Sequence, residues 1–218
     1  MGQKEYSLRE KKHARTKLAI VNTFIKRLEK SRFEDISIRE ICRSVEVSEG
    51  TFFNYFPEKI DIVNYYMHLI FLETVWKAQR DAGQKKSLPL INAIFERMSE
   101  RMDNINILYQ IISVMLIQQE KPKVVDIPDI ERYIAFPDYI GIENIPAVFI
   151  EDFLRACLKK AARDGELPKD IKIEDVLVSL MAILGGTLLT TKLTGIKDCA
   201  YQYKRQLQLL WKGLGIKD

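Results

Sequence analysis

The 218 residues predict an all-α protein, with an N-terminal three-helix domain holding a helix-turn-helix and a larger helical domain behind it. Three observations predict it. Apolar residues recur at spacings of three and four along nearly the whole chain, and no period-two alternation persists long enough for a strand. Helix-starting serines, Ser37 and Ser48, stand just ahead of two short apolar runs. Four of only seven prolines fall in one stretch, so most of the chain is left free to form uninterrupted helix.

The first helix should run from about 9 to 30, where Leu18, Val21, Ile25 and Leu28 make one stripe and Phe24 widens it. Ser37 followed by Glu40 reads as a capping box opening a short helix over about 37–44. Ser48 caps another, running through Thr51 to about Tyr55, and only about four residues are left to turn between them. Two short helices and a tight turn make a helix-turn-helix. Pro57 suits the first position of a long helix that keeps an apolar stripe through Ile60, Val63, Met67 and Ile70 until Gly83. The domain boundary is expected here, giving domains 1–56 and 57–218.

Further helices are expected at about 87–102 and 105–120. Pro122, Pro128, Pro137, Pro146 and Gly141 then break the pattern, which predicts a long loop or a few very short helices over 122–146. Such a segment suits a flap beside a pocket or partner, or a variable surface insertion. Two long helices follow, about 146–164 and 173–194, separated by Asp164, Gly165, Pro168 and Asp170, and a final one covers about 198–213. The helix over 173–194 is apolar on more than one face and contains Gly185 and Gly186, so a partner is expected to cover it.

Composition is that of a folded globular chain, 47% hydrophobic and 29% charged. Cys42, Cys157 and Cys199 are odd in number and widely spaced, which excludes a disulfide framework or zinc site and predicts three buried apolar residues. No basic-then-apolar leader is present, and no apolar segment is expected to reach the roughly 18 residues that span a bilayer. A cytoplasmic protein with no membrane partner is expected. Net charge is only +4, yet residues 1–32 hold ten Lys or Arg against three Glu, so that arm is +7 and the rest about −3. Such an arm suits a polyanion, whose counterions it would release, or is simply a solvated N-terminus.

No enzymatic constellation stands out. His13 and His68 are isolated, and neither a nucleophile elbow nor a phosphate-cradling glycine loop occurs. No enzyme activity, cofactor or metal is expected.

Residues 18–60, and within them Phe33, Ile36, Ser37, Ile38, Ile41, Val47, Ser48, Gly50, Thr51, Phe52, Asn54, Phe56 and Lys59, resemble in type and spacing the DNA-binding module of the TetR (tetracycline repressor) family. The physics of groove reading agrees: a recognition helix should be short, capped, and bear small polar groups in its first turn. Ser48, Glu49, Gly50 and Thr51 fit that description, with Gly50 letting the backbone approach DNA. Ser37, Phe53, Asn54, Tyr55 and Lys59 are placed against phosphates or the groove, and Arg39 against a base or the backbone. Ile38, Ile41, Val47, Phe52 and Phe56 should face helix one. Three positions depart from the family pattern. Arg32 replaces a glycine that ends helix one in the left-handed conformation, at an expected cost of about 1 kcal/mol. Glu46 replaces a turn glycine and brings an acid near DNA, and Phe53 replaces a phosphate-binding tyrosine.

The resemblance implies a homodimer whose last long helices, near 146–164 and 173–194, form a four-helix bundle with their mates, and a ligand pocket in the larger domain. Candidate pocket residues are Phe71, Val75, Trp76, Phe95, Met98, Met102, Tyr109, Met115 and Phe153, each of which suits plain core before ligand contact; a pocket lined by them implies a small hydrophobic or amphipathic ligand. The function so implied is a ligand-responsive transcriptional regulator, a repressor on palindromic double-stranded operator DNA. The rival from another class is a helical protein-interaction module whose helix-turn-helix no longer reads DNA. A small helical enzyme would need clustered titratable groups that the sequence does not display.

Overall fold

The structure, a computed structural model, describes residues 5–83, 86–100, 105–117, 124–196 and 198–216. Among them every regular element is helical: α1 (Leu8–Leu28), α2 (Ile38–Val45), α3 (Glu49–Tyr55), α4 (Lys59–Ala82), α5 (Ser87–Ser99), α6 (Ile105–Ile117), α7 (Asp129–Ala135), a 3-10 turn (Ile142–Asn144), α8 (Ile150–Arg163), α9 (Ile173–Thr194) and α10 (Cys199–Gly213). The chain is therefore all-α, as its periodicity predicts. It divides into two compact units, Met1–Glu73 with Asn104–Ala147, and Thr74–Asp103 with Val148–Asp218. These units do not coincide with the division at residues 56 and 57 read from the sequence, because α7 packs back on α1.

In the first unit, α1 starts at a full capping box: the Ser7 hydroxyl accepts the Glu10 N–H at 3.2 Å, and the Glu10 carboxylate accepts the Ser7 N–H at 2.8 Å. Its buried stripe of Ala14, Leu18, Val21, Ile25 and Leu28 repeats at three and four, which commits one face to the core. The described part of the proline-rich segment is ordered into α7 and the 3-10 turn, the short-helix alternative. Consecutive charged residues hold it, each only 3% and 5% exposed, Glu131 and Arg132. Arg132 turns back on its own segment and donates to the carbonyls of Ile127 (2.7 Å), Ile145 (2.7 Å) and Glu143 (3.1 Å), acceptors before α7 and in and after the 3-10 turn.

Glu131 points the other way. Its carboxylate accepts from the Lys17 ammonium of α1 at 3.1 Å and from the Tyr65 hydroxyl of α4 at 2.7 Å. The same ammonium lies 4.5 Å from the centre of the Tyr65 ring. Burial, with the Glu131 charge beside it, pushes the Tyr65 phenol far up, so it stays a neutral donor. One carboxylate thus joins three helices.

His68 is also buried in this unit, its Nδ1 2.9 Å from the Asn64 carbonyl and its Nε2 3.4 Å from the Val125 N–H. Those partners suit the neutral ring with the proton on Nδ1, and burial lowers the imidazole below its usual range.

In the second unit α8 packs on α5 and α9, and α10 on α5 and α9. The α5 N-terminus is capped from a distance: Glu166, in the turn after α8, accepts the N–H groups of Ser87 (2.8 Å) and Leu88 (3.0 Å). Tyr203 meets Phe95 edge-on at 5.5 Å and donates to the Leu184 carbonyl at 2.9 Å, and Trp211 donates to the Asn92 side chain at 2.8 Å. The three cysteines are buried thiols. Contrary to the sequence expectation, one helix, α9, is long and apolar enough to cross a membrane by length and composition. Val176, Leu180, Leu184 and Leu188 make its buried stripe in this unit, which accounts for much of that apolarity.

Two outcomes test this packing. Glu131→Ala leaves a largely buried Lys17 and the Tyr65 hydroxyl without their acceptor, and a urea titration should show a loss of about 3 kcal/mol. An unchanged midpoint would mean that the carboxylate's desolvation cancels its attractions. For His68 the folded pKa lies below the unfolded value near 6.5, so in acid the unfolded chain binds the extra proton. The contribution of His68 is full above about pH 6.5 and is lost as pH falls towards the folded value. Stability of the wild type should therefore decline more steeply between pH 7 and pH 5 than that of His68→Gln, measured in the same buffers.

Candidate nucleic-acid interface

The turn between α2 and α3 is set by one residue. Glu46 ends α2 with φ 58°, the left-handed conformation, and it is the one non-glycine residue so placed among those described. There the Glu46 N–H reaches the Arg43 carbonyl (3.4 Å) and the Val47 N–H reaches that of Cys42 (3.0 Å), closing the helix end. Arg32, expected in that conformation at the end of α1, does not adopt it. α1 stops at Leu28, the Ser31 N–H bonds the Arg27 carbonyl at 2.9 Å, and Arg32 pairs with Asp35 at 3.3 Å. The left-handed strain assigned to Arg32 is absent, and Glu46 carries it.

Ser37 caps α2 as predicted, accepting the Glu40 N–H at 3.4 Å. The capping box is not completed, since the Glu40 carboxylate pairs with Arg27, whose guanidinium also reaches Ser44 at 3.2 Å. That pair staples α2 to α1. Ile41 (0% exposed), Phe52 (0%) and Phe56 (2%) fill the interior, whereas Ile38 and Val47, expected beside them, are only half-buried. α4 begins at Lys59 rather than at Pro57, because the Asp61 carboxylate caps the Glu58 N–H at 2.8 Å.

The ten sequence-predicted groove residues all fall in the first unit, on or beside α2, α3 and the start of α4. Arg39, Ser48, Glu49, Gly50, Phe53 and Asn54 are exposed, and Thr51 and Tyr55 are half-buried. Ser48 caps α3: its hydroxyl accepts the Thr51 N–H at 3.1 Å and lies 2.8 Å from the Thr51 hydroxyl. One hydroxyl must donate to the other, so the pair keeps a single O–H for an outside acceptor. The Lys59 ammonium donates to the Glu34 carbonyl at 3.2 Å and sits 4.7 Å over the Phe33 ring. Burial lowers its pKa, with Glu34 and Asp35 opposing.

Gly50 has ordinary helical backbone, and a Cβ there would meet only the Ser48 hydroxyl at 3.9 Å. The fold has no need of glycine at this position.

Sequence reasoning missed two features. Arg43, one turn beyond Arg39 on α2, is exposed and pairs with nothing among the described residues, so the two guanidiniums form one row. A cation four residues from Arg39 was the available signal. His13 of α1 lies against the Tyr55 ring at 4.5 Å, a contact with no sequence signature. Conversely, Lys17 and Arg27 are drawn inward by Glu131 and Glu40, so the +7 arm overstates the cationic surface, to which Arg9, Lys12 and Arg15 contribute as exposed side chains.

The apolar candidates are not brought together within either unit. Phe71, Tyr109 and Met115 belong to the first unit, and Val75, Trp76, Phe95, Met98 and Phe153 to the second. Met102 lies outside the described residues. Phe95 is interior packing against Tyr203, the Met98 sulfur accepts from the Thr74 hydroxyl at 3.7 Å, and the Arg80 guanidinium covers the Trp76 ring at 4.7 Å. Among the described residues no three His, Cys, Asp or Glu stand close enough to hold a metal ion.

No protein-family model and no curated protein sequence matches the chain. Solved structures do. A TetR-family transcriptional repressor, FadR of Thermus thermophilus in complex with lauroyl-CoA, is 20% identical, with 93% of this chain and 96% of that one covered and a TM-score of 0.65. The fatty acid degradation regulator FadR of Bacillus halodurans is 12% identical over 98% of this chain and 100% of its own, with a TM-score of 0.63. FadR of Bacillus subtilis in complex with stearoyl-CoA is 12% identical over 88% and 96%, with a TM-score of 0.62.

Glu46→Gly should raise stability by about 1 kcal/mol, the left-handed penalty of a side-chain-bearing residue, and thermal melting of the two proteins measures it. A lower melting temperature would show that the Glu46 side chain contributes more than its backbone conformation costs. Both the sequence match of residues 18–60 and the likeness over nearly the whole length lead to one statement: this chain has the fold of the TetR-family transcriptional regulators.

Proposed function

We propose that the chain is a ligand-responsive transcriptional regulator that binds double-stranded operator DNA as a homodimer and represses by occupying an inverted repeat. The observation that carries this reading is the outward face of α2 and α3, where Arg39 and Arg43 flank a capped recognition helix and have no partner among the described residues. Lys17 and Arg132 are held by acceptors inside the first unit, whereas these two stand exposed in a row, poised for phosphates.

A second copy is best accommodated on α9 and α10. Val178 (67% exposed), Leu189 (46%) and Leu193 (84%) lie along α9, Gly185 and Gly186 have open space beside them, and Tyr201 and Leu209 are exposed on α10. The exposed side chains of α8 are mostly charged, Glu151, Asp152, Lys159 and Arg163 among them, which argues against the helix near 146–164 as a bundle partner and for α10 in its place.

The effector in this reading is amphipathic, with an apolar body. The acyl-CoA complexes of two structural relatives support that class. Its binding would weaken the grip on DNA by about 1–3 kcal/mol, the usual size of such coupling. A cytoplasmic place and the absence of catalysis belong to the same reading.

Selection of bound duplexes from a random pool at two salt concentrations should return an inverted repeat with half-sites about one helical turn apart. Recovery of unrelated sequences, or of none, would favour the interaction-module reading, for which the acids Glu46 and Glu49 speak. On the selected site, Gly50→Ala separates fold from function. Helix propensity predicts equal or greater stability, by up to about 1 kcal/mol, while a Cβ facing the groove should weaken DNA binding. Arg43→Ala should weaken binding evenly across sequences and lessen the salt slope by about one, whereas Thr51→Ala should alter preference among sequences.

A further inference from the structure

The outer face of α3 has an unusual composition for a helix that meets a polyanion. Its seven residues include no cation and one acid. Phe52 is wholly buried, the Thr51 hydroxyl is engaged by Ser48, and the Tyr55 ring rests on His13. What faces outward is two rows one turn apart, Glu49 with Phe53 and Gly50 with Asn54. The Glu49 carboxylate makes no ion pair or hydrogen bond with the described residues. Phe53 is 44% exposed, and its ring is steadied edge-on by Phe52, at 5.3 Å and 83° between planes.

Neither group can serve the phosphates of DNA. A carboxylate is repelled by phosphates, and a phenyl ring has no donor to offer them. The major groove, however, holds partners for both. Cytosine presents an N4 amine with no acceptor beside it, whereas adenine sets its N7 acceptor next to its amine, where it would oppose a carboxylate. Thymine presents a C5 methyl, the one apolar group on that groove edge. Residues one helical turn apart are about 5.4 Å from each other along the helix, and base steps are about 3.4 Å, so the pair would meet bases one or two steps apart.

We propose that Glu49 and Phe53 are a pyrimidine-reading pair, the Glu49 carboxylate accepting from the exocyclic amine of a cytosine and the Phe53 ring packing on the C5 methyl of a thymine one or two steps away. The inference rests on the reading of α3 as a groove-binding helix, and the experiment keeps the two apart. A random duplex pool is first selected with the full-length protein; recovery of no common site overturns the groove-binding reading and this inference with it. With a site in hand, each thymine in a half-site is replaced singly by 2′-deoxyuridine, which deletes only the methyl.

One such replacement should weaken wild-type binding about fourfold, the worth of one buried methyl, and should leave Phe53→Ala unaffected. Glu49→Gln should lose its preference for cytosine over the other bases at one position by about tenfold, within the range of a single base contact. Circular dichroism of both variants, altered only at exposed positions, checks that helix content is kept. Binding indifferent to every methyl, with Phe53→Ala still weakened, would place the ring on a deoxyribose and overturn the thymine half. An unchanged base preference in Glu49→Gln would overturn the cytosine half.

Discussion

The first unit depends on a single buried carboxylate. Glu131 is 3% exposed and takes hydrogen bonds from α1 and α4, so the platform on which the helix-turn-helix rests is tied to a segment more than a hundred residues further along the chain. A charge in such a place is stable only when paired and hydrogen-bonded, and both conditions are met by Lys17 and Tyr65. The arrangement explains why α7 exists at all. Seven residues of helix between prolines have little intrinsic stability, and it is Glu131 on one side and the Arg132 guanidinium on the other that hold them in place.

The same economy of charge shapes the nucleic-acid face. Lys17, Arg27 and Lys59 each serve an internal acceptor, respectively Glu131, Glu40 and the Glu34 carbonyl. Each partner is supplied by another segment, so the cations act as fasteners between elements. What is left to solvent is Arg39 and Arg43 on α2 and the exposed cations of α1, beside a recognition helix with none. In the proposed reading, attraction to phosphates and discrimination among bases would therefore reside on different helices, and substitutions in one need not disturb the other.

Much of this was legible in the sequence. The helix periods, the serine caps and the proline cluster gave element positions within a few residues, because those signals are local. The helix-turn-helix was legible for the same reason: cap, turn and short apolar run lie within about twenty positions. What escaped was non-local. Nothing near Lys17 or Tyr65 points to Glu131, nothing near Ser87 points to Glu166 as the cap of α5, and nothing near His13 points to Tyr55. The left-handed residue was assigned to Arg32 from the family pattern, but the conformation depends on how the chain leaves each helix, and of the exits from α1 and α2 it is the one at Glu46 that adopts it. Apolar faces of α8, α9 and α10 look alike by period; which of them is covered depends on packing within the second unit.

Several breaches of local rules lie close together in the first unit. A side chain-bearing residue in the left-handed region, a glycine inside a helix that has room for alanine, a half-exposed phenylalanine and two unpartnered arginines all lie within residues 39–53. Each alone is an ordinary tolerance of a folded chain, at a cost of about 1 kcal/mol or less. Together they describe a surface whose residues are not chosen for the stability of the monomer, as is also true of the outer face of α9, where Val178 and Leu193 are exposed and Gly185 and Gly186 have room for a Cβ. A degenerate module freed from reading DNA would have no reason to keep Gly50 or a bare Phe53 against the preferences of its own helix.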